Sequence, residues 1–554
     1  MSGNATLGAN ANAFDRARQA LLALRPLRDP QLRKACAALR NNQPHAAQQL
    51  LSAFLMKRPN DVDALNLMAE VAMQFGRHGE AETLLAACLE RAPDFDAARF
   101  GYANALLEQR KYGPALESLD ELLTKEPNQV LYRSQKAFVL ARMGRYQESM
   151  DNYQQLIADV PDVPRIWVDY GYVLRALGFR KECIAAWRKA IEISPWQGAA
   201  WWQMASLRTF RFGEADIQAM ESQLGRPDLP GEDRVALHYA LGKAYDDCDD
   251  YARSFQNYAK ANAMRRLAVD YNPEATSALV PRCKALFTPA YFRERAGAGC
   301  DSKAPIFIIG MQRSGSTLVE QILSSHSAIE AAGEIDEIRR IIEEHVAPMC
   351  GENYPLGVNR LGQSDLRALG EKYLELTRRH RPLGRPFFVD KCPSNFWHLG
   401  FIHSILPQAR IIDARRHPVA CCYSNFTMNF REGLPISYRL AELGRHYTDY
   451  VRLMAHFDRV MPGKIHRVIY ENLVTDFDAE VRRMLDFIGL PYEPACSEFH
   501  KNERALESLS SEQVRSPIFT DSLDRWRRYE PWLGSLKSAL GPVLERYPDV
   551  PDLE

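Results

Sequence analysis

The sequence predicts an α + α/β protein, in which an α-helical solenoid of short repeats precedes an α/β domain with a mainly parallel sheet. Prolines that recur every 34 residues predict the solenoid. An apolar strand that leads into a glycine-containing loop, and the strands alternating with helices beyond it, predict the α/β domain. Because a chain of 554 residues is too long for one hydrophobic core, we expect at least two domains.

The repeats share one period in several residue types. Prolines lie at positions 59, 93, 127, 161 and 195, and small residues at positions 35, 69, 103, 137, 171 and 205. A helix–turn–helix unit of this length that closes with proline is the tetratricopeptide pattern. The small residues let two helices approach closely, and the proline ends the second helix. We therefore expect a tetratricopeptide α-solenoid over residues 28–266, with its last unit at about 232–266.

Stacked repeats of this kind form a concave groove, which usually binds a protein or a peptide. A spacer role, or an interface with a second copy of the chain that would give a homo-oligomer, also fits the pattern. Five tryptophans lie in the array, and their helical spacing favours inter-repeat packing over a binding cluster. They are Trp167, Trp187, Trp196, Trp201 and Trp202.

Composition excludes several classes of protein. The 70 basic and 70 acidic residues balance, so neither nucleic acid nor a membrane surface is an expected partner. The first residues contain neither a basic nor an apolar segment, so we expect no secretory signal. No apolar run is long enough to span a membrane. The 11 cysteines lack metal-ligand spacing. These features predict a soluble cytoplasmic protein without a bound metal.

The α/β domain is expected over residues 304–545, after a linker at 267–303 that ends in small and polar residues. Its first strand contains the apolar run Ile306–Ile309 and turns at Gly310. The loop that follows has the frame G-x-x-x-x-G-x-T, which is typical of a phosphate-binding loop between a strand and a helix. Ser316 stands where a nucleotide-hydrolysing loop carries lysine. We therefore expect an anion site without ATP or GTP hydrolysis.

Further strands are predicted at 386–390, 409–414 and 466–470, and an amphipathic helix at 476–490. In a doubly wound sheet the ligand binds at the carboxyl ends of the strands. That rule selects Glu334, which opens a predicted helix after a short connection, as a candidate base. It also selects Lys391, at the end of the strand 386–390, as a cation that could stabilise charge on a leaving oxygen. It also selects Arg416 with Ser424, a pair suited to a second phosphate group.

Four segments in this order resemble sulfotransferases that use 3′-phosphoadenosine 5′-phosphosulfate (PAPS). They are GMQRSGST, AAGE, VDKCP and ARRHP with a following serine. Together with the repeats they resemble bacterial tetratricopeptide sulfotransferases, and the catalytic part is similar to tyrosylprotein sulfotransferases. One departure is Gln312, where the tyrosylprotein enzymes have proline.

The resemblance implies a role for each candidate residue. Glu334 would be the base on the acceptor hydroxyl, and Lys391 would stabilise the bridging oxygen of the donor. Arg416 and Ser424 would hold the 3′-phosphate of PAPS, and no metal would be needed. The loop residues that would hold the 5′-phosphosulfate are Arg313, Ser314, Gly315, Ser316 and Thr317. Further donor contacts implied near the C-terminus are Ser510, Arg525 and Trp526.

Two other functions stay open at this point. A nucleotide-dependent phosphotransferase would use Asp413 as a metal-binding acid after a strand, and magnesium dependence would reveal it. A tetratricopeptide scaffold with an inactive nucleotide-binding domain is the second alternative. The sequence does not identify the acceptor, which could be protein tyrosine or another hydroxyl.

Overall fold

The structure, a computed structural model, describes residues 27–207, 209–350, 354–430, 433–502, 504, 513–518 and 523–550. It falls into two compact units. Residues up to Met204, with Ser222–Asp233, form the first unit, and Ala205–Glu221, with the chain from Arg234 onward, forms the second. Within the described ranges, no helix is long and apolar enough to cross a membrane.

The first unit consists of helices that pack on their neighbours along the chain, which confirms the predicted repeat array. The helices are Pro30–Arg40, Pro44–Leu55, Val62–Gln74, His78–Arg91, Asp96–Glu108, Tyr112–Lys125, Val130–Arg142, Tyr146–Asp159, Pro164–Leu177, Arg180–Ile193 and Gly198–Ser206. Helix Glu214–Leu224 follows these helices along the chain.

The small residues of the repeats lie where helices touch. Gly171 shows this most directly, because a Cβ atom placed there would lie 2.7 Å from Cδ1 of Trp187. Trp187 is fully buried and its indole N–H donates to the carbonyl of Val168 at 3.1 Å. Trp201 and Trp202 are buried as well. These three tryptophans are therefore packing residues, as their helical spacing predicted.

The division between the units differs from the expected domain limits. Helix Tyr251–Ala268 packs in the second unit, where Asn262 Nδ2 donates to the carbonyl of Phe426 at 2.8 Å. The segment 267–303, expected to be a linker, contains three short helices. Near its end, the amide of Cys300 donates to the carbonyl of Ile405 at 2.8 Å. This segment is a packed part of the second unit, because its helices and backbone groups find partners there.

The second unit contains a five-stranded, all-parallel sheet. Its strands are β1 (Pro305–Gly310), β2 (Ile329–Gly333), β3 (Phe387–Lys391), β4 (Arg410–Arg415) and β5 (Ile465–Ile469). The order in the sheet is β2-β3-β1-β4-β5. The predicted parallel sheet is confirmed. Strand β2, which the sequence suggested only as a short connection, completes one edge.

Helices cover both faces of this sheet. Ile306 and Ile308 of β1 pack in one core cluster with Val319 of the helix after the loop and Met484 of helix Phe477–Ile488. On the other face, the ring of Phe307 lies 5.5 Å from that of Tyr373. Alternate residues of β1 thus face opposite layers, as expected for a doubly wound sheet.

The remaining helices of the second unit connect these strands. The α-helices are Gly231–Asp247, Tyr251–Ala268, Pro273–Ser277, Leu279–Leu286, Pro289–Glu294, Ser316–Leu323, Glu337–Ile341, Ala347–Cys350, Gln363–Thr377, Leu399–Ile405, Pro418–Phe426, Leu440–Val460, Tyr470–Thr475, Phe477–Ile488, Pro494–Ser497, Gly534–Leu540 and Pro542–Arg546. A π-helical turn spans Ile342–Val346, and 3₁₀ turns include Pro393–His398, Phe499–Lys501 and Arg525–Trp532.

Candidate functional site

The candidate residues gather at the carboxyl edge of the sheet, because parallel strands all end on the same side. Strand β1 leads into the phosphate loop, residues 311–315, and strand β2 leads directly to Glu334. Lys391 is the last residue of β3, and Arg416 follows the last residue of β4. The strand order places β1 between β3 and β4, so the loop lies at the centre of the site.

The phosphate loop has a conformation that requires glycine. Gly315, at the N-cap of helix Ser316–Leu323, has φ 97°, and a Cβ atom there would lie 2.5 Å from Cδ2 of Tyr470. We call this helix the loop helix. Ser314, Ser316 and Thr317 are buried. The Ser314 hydroxyl is buried without a hydrogen-bond partner among the residues that the structure describes, so it is a polar group available to a ligand.

Two arginines connect the loop with the end of β4 and with helix Pro418–Phe426 that follows it. The Arg313 Nε atom donates to the Ser424 hydroxyl at 3.2 Å, and Arg416 Nη1 donates to the carbonyl of Arg313 at 3.4 Å. The Arg416 guanidinium also lies over the Tyr470 ring, 4.8 Å from its centroid. The loop, Arg416 and Ser424 therefore form one positively charged cluster, which suits an anion with two charged groups.

Glu334 and Lys391 are in direct contact across β2 and β3. The Lys391 ammonium donates to Oε1 of Glu334. The Glu334 side chain is 56% exposed and that of Lys391 only 3%, so the carboxylate faces solvent while the ammonium is enclosed. Burial lowers the pKa of Lys391, but Glu334 and Glu320 outweigh it, and the pKa lies above its usual value. Lys391 is therefore a buried cation next to an accessible carboxylate.

Asp413 is the centre of a separate ionic cluster. Its carboxylate accepts hydrogen bonds from Arg415 at 2.9 Å and Arg467 at 3.0 Å, and another from the Tyr450 hydroxyl. Burial raises the pKa of Asp413, but the two arginines outweigh it and hold the pKa below its usual value. Both carboxylate oxygens are occupied, so Asp413 is a structural anion rather than a free metal ligand.

Of the three C-terminal candidates, the structure describes Arg525 and Trp526. Ser510 lies outside the described residues. Arg525 forms an ion pair with Asp246, whose other oxygen accepts from Tyr529 at 2.5 Å. The Trp526 ring stacks on His417, with centroids 5.1 Å apart. Because His417 follows Arg416, Trp526 lies beside the turn that carries Arg416. Two cations also lie over the Trp526 ring, namely Arg527 and Lys537.

Sequence reasoning missed two residues of the site. Tyr470 packs against the loop glycine and under Arg416, and no sequence pattern indicates that contact. Glu320 lies inside the apolar loop helix and is buried next to Lys391. An acidic residue on an apolar helix face is a signal that could have drawn attention to it. Across the described ranges, no group of three or more His, Cys, Asp or Glu side chains is arranged to hold a metal.

The second unit is an α/β domain with a lysine-free phosphate loop, and helical repeats precede it in the chain. Comparison with known proteins shows similarity over parts of the chain. A sequence model of the sulfotransferase family matches residues 305–494, and two tetratricopeptide repeat models match residues 32–94 and 72–137. Residues 305–494 are therefore similar to the sulfotransferase family and residues 32–137 to tetratricopeptide repeats, as the motifs predicted.

Individual relatives are more distant. An uncharacterized protein of Aquifex aeolicus is 29% identical over 395 residues, which cover 68% of this chain and 51% of that protein. A putative protein-tyrosine sulfotransferase of Caenorhabditis briggsae is 24% identical over 229 residues, covering 40% of this chain and 80% of that protein. Among solved structures, the sulfotransferase domain from the Synechococcus PCC 7002 olefin synthase is 22% identical with a TM-score of 0.32, covering 42% of this chain and 90% of that domain. The chain thus spans about half the length of the Aquifex relative.

Proposed function

We propose that the chain is a sulfotransferase that moves the sulfuryl group of PAPS to a hydroxyl acceptor. The observation that carries this proposal is a pair of hydrogen bonds at Arg313 of the phosphate loop. Its side chain donates to Ser424, and its carbonyl accepts from Arg416. PAPS differs from ATP in bearing a 3′-phosphate, so a donor site needs a second anion-binding group beside the loop. Arg416 and Ser424 would supply that group, and residues Arg313–Thr317, at the end of the loop and the start of the loop helix, would bind the 5′-phosphosulfate.

The residues of the loop fit such a donor. Amides in the first turn of a helix lack partners within the helix and attract anions, and the loop leads directly into such a turn. The buried Ser314 hydroxyl has no hydrogen-bond partner in the described part of the chain. The sulfuryl group carries less negative charge than a phosphoryl group. Fixed cations and N–H donors can therefore stabilise its transfer without the loop lysine. Arg525 and Trp526 would contact the donor from the C-terminal segment, and Ser510 is proposed for the same role.

In the proposed reaction, Glu334 takes the proton from the acceptor hydroxyl as its oxygen attacks the sulfur. A new bond forms between sulfur and the acceptor oxygen, and the bond between sulfur and the bridging oxygen of the donor breaks. The electron pair stays on that bridging oxygen, so adenosine 3′,5′-bisphosphate leaves. Lys391 stabilises the charge that develops there. The exposure of Glu334 and the enclosure of Lys391 match these two roles.

The acceptor we propose first is a tyrosine of a protein, by analogy with the named activity of the Caenorhabditis relative. The repeat array would recruit that acceptor or a partner, since tetratricopeptide repeats generally bind proteins. A cytoplasmic location is also proposed. In support, the ten cysteines whose side chains are described form no disulfide, as is usual in a reducing compartment.

The phosphotransferase alternative is less well supported. It needs an acid after a strand to bind magnesium, and Asp413 was its candidate. The Asp413 carboxylate instead neutralises two arginines, and it accepts a hydrogen bond on each oxygen.

Calorimetric titration of the full chain with adenosine 3′,5′-bisphosphate and with ADP, each with and without magnesium, tests the donor site. We expect magnesium-independent preference for the bisphosphate. Arg416→Ala should weaken that binding by about 10-fold to 100-fold, since a charge-assisted contact contributes about 1.5–3 kcal/mol. Arg410→Ala is the matched control, because Arg410 begins the same strand and lies away from the carboxyl edge. Preference for ADP with magnesium would overturn the proposal.

Transfer of a radioactive sulfuryl group from labelled PAPS tests the chemistry. With tyrosine-containing peptides as acceptors, Glu334→Gln should lower turnover by at least about 100-fold, the usual contribution of a general base. Glu343→Gln serves as the control, since Glu343 is an exposed acid that pairs with Arg339. Unchanged turnover in Glu334→Gln and Lys391→Met would show that the catalytic assignment is wrong.

A further inference from the structure

Glu320 is a buried acid to which the proposed reaction gives no role. It lies on the loop helix and is 2% exposed. Its Oε2 atom lies 4.0 Å from the Lys391 ammonium and 3.3 Å from Nη2 of Arg504. Its Oε1 atom is buried without a hydrogen-bond partner in the described ranges. A buried carboxylate is stabilised only where charges or donors compensate it, and here Lys391 and Arg504 supply the compensating charges.

The charges around Glu320 alternate in sign along one line of contacts. Glu334 contacts Lys391, Lys391 faces Glu320, and Glu320 pairs with Arg504. Arg504 is held in place from the same helix, because its Nε atom donates to the side-chain oxygen of Gln321 at 2.7 Å. The loop helix therefore fixes both the carboxylate that faces Lys391 and the cation behind it.

We propose that Glu320 is a positioning residue that holds the Lys391 ammonium in place and keeps it charged while Glu334 is protonated. This inference rests on the proposed function. When Glu334 takes up the acceptor's proton, its carboxylate becomes neutral and Lys391 loses the anion that it contacts in this structure. Lys391 is then an enclosed cation whose remaining fixed counter-charge is Glu320. A neutral Lys391 could not stabilise the leaving oxygen.

The groups that face Lys391 support this assignment. Glu334 approaches it from the end of β2 and Glu320 from the loop helix, while Cys392 follows it in the chain. Arg504 lies behind Glu320 and partly neutralises it. Burial alone would lower the pKa of Lys391, and the two carboxylates together raise it above the usual value. Loss of either carboxylate therefore favours the neutral amine at high pH.

The test compares Glu320→Gln with Arg504→Gln in the full chain, using PAPS and the peptide acceptor. Both variants break the same buried ion pair, so a merely structural role predicts similar effects. A positioning role predicts different effects in the two variants. In Glu320→Gln, kcat should fall about tenfold or more. The loss of activity that occurs as pH rises should begin at a lower pH than in the wild type. In Arg504→Gln, the Glu320 carboxylate no longer pairs with Arg504 and still faces Lys391. The loss of activity at high pH should therefore not begin at a lower pH than in the wild type.

Three further readouts make the outcome decisive. The KM for PAPS should change less than about twofold in Glu320→Gln, because Glu320 touches neither substrate in the proposed scheme. Glu320→Asp, which keeps the charge, should restore part of kcat and the wild-type pH profile. Should Glu320→Gln fail to fold, a decline at lower pH in Arg504→Gln would by itself overturn the inference.

Failure of this inference differs from failure of the proposed function. A wild-type chain that transfers no sulfuryl group from PAPS contradicts the proposed function. A wild-type chain that is active, with matching pH profiles in Glu320→Gln and Arg504→Gln, contradicts only the role of Glu320.

Discussion

Replacement of Gly315 by alanine should destabilise the second unit and weaken its donor site, for two separable reasons. The first is backbone conformation. Gly315 has φ 97°, and an alanine held in the left-handed region loses about 1–2 kcal/mol. The second is overlap. The new Cβ atom would lie 2.5 Å from Cδ2 of Tyr470, so the ring must move by about 1 Å to reach ordinary contact.

The expected magnitude follows from these two effects. Overpacking in a filled site costs about 1–3 kcal/mol. Gly315→Ala should therefore lower the free energy of unfolding by about 2–5 kcal/mol in total. Gly463→Ala is the matched control, because Gly463 also has positive φ, 73°, but nothing lies within 4 Å of the position that its Cβ atom would take. The control should lose only the backbone contribution, about 1–2 kcal/mol.

Hydrogen exchange in urea, followed on peptides from β1 and β4, measures the stability of the second unit by itself. This choice matters because the two units can unfold in separate transitions. Calorimetry provides the second readout. Arg416 lies over the ring that must move, so binding of adenosine 3′,5′-bisphosphate should weaken by about tenfold in Gly315→Ala and stay unchanged in Gly463→Ala. Equal stabilities and equal affinities in the two variants would refute the packing argument.

Three other substitutions test contacts elsewhere in the chain. Asp413→Asn should destabilise the second unit by about 3–5 kcal/mol, because it leaves the buried Arg415 without its carboxylate partner and removes one of the two anions that pair with Arg467. Asp246→Asn should loosen the segment that carries Arg525, and hydrogen exchange of residues 525–532 should accelerate by about tenfold. Gly171→Ala should destabilise the first unit by about 1–3 kcal/mol, measured by urea unfolding, since its Cβ meets Trp187.

The Asp413 variant also has a defined pH dependence. Because the folded pKa of Asp413 lies below its usual value, the carboxylate stabilises the fold fully above the usual aspartate range, about pH 4–5. That stabilisation is lost as pH falls through the lower, folded pKa. The melting temperatures of wild type and Asp413→Asn should therefore differ by a constant amount from about pH 8 to 5 and converge in stronger acid. A difference that grows on acidification would contradict the assignment.

Controls exist for the other two variants. Glu498→Gln changes an exposed acid that pairs with Lys501, outside the segment, and should leave hydrogen exchange of residues 525–532 as it is. Gly113 is the second residue of helix Tyr112–Lys125, and apart from its chain neighbours nothing lies within 4 Å of its Cβ position, so Gly113→Ala should change the free energy of unfolding of the first unit by less than about 0.5 kcal/mol. Destabilisation of similar size in both glycine variants would show that packing against Trp187 is not the cause.

The fold was largely predictable because its signals are local and repeated. The 34-residue period specified the helical array without any knowledge of contacts, and the apolar runs specified β1, β3, β4 and β5. Strand β2 was missed, since its sequence IEAAG is short and has few of the β-branched residues that favour strands. Its place beside β3 comes from pairing in the sheet.

The packing of the expected linker at 267–303 was missed for a related reason. Its short helices resemble loop sequence, and their burial depends on a partner surface formed by residues far along the chain, such as the carbonyl of Ile405. Sequence patterns report local preference, whereas domain limits follow from which distant surfaces meet.

The sequence alone determined the repeats, the phosphate loop and the identity of the residues that end the strands, because these depend on spacing along the chain. Tertiary structure decided which of those residues meet. In the folded chain Arg313 contacts Ser424, and Lys391 contacts Glu334. Glu320 lies between Lys391 and Arg504. Asp413 pairs with two arginines and not with a ligand. The physical reason is that ion pairing and burial depend on how close side chains on different strands lie, and the strands become neighbours only when the sheet forms.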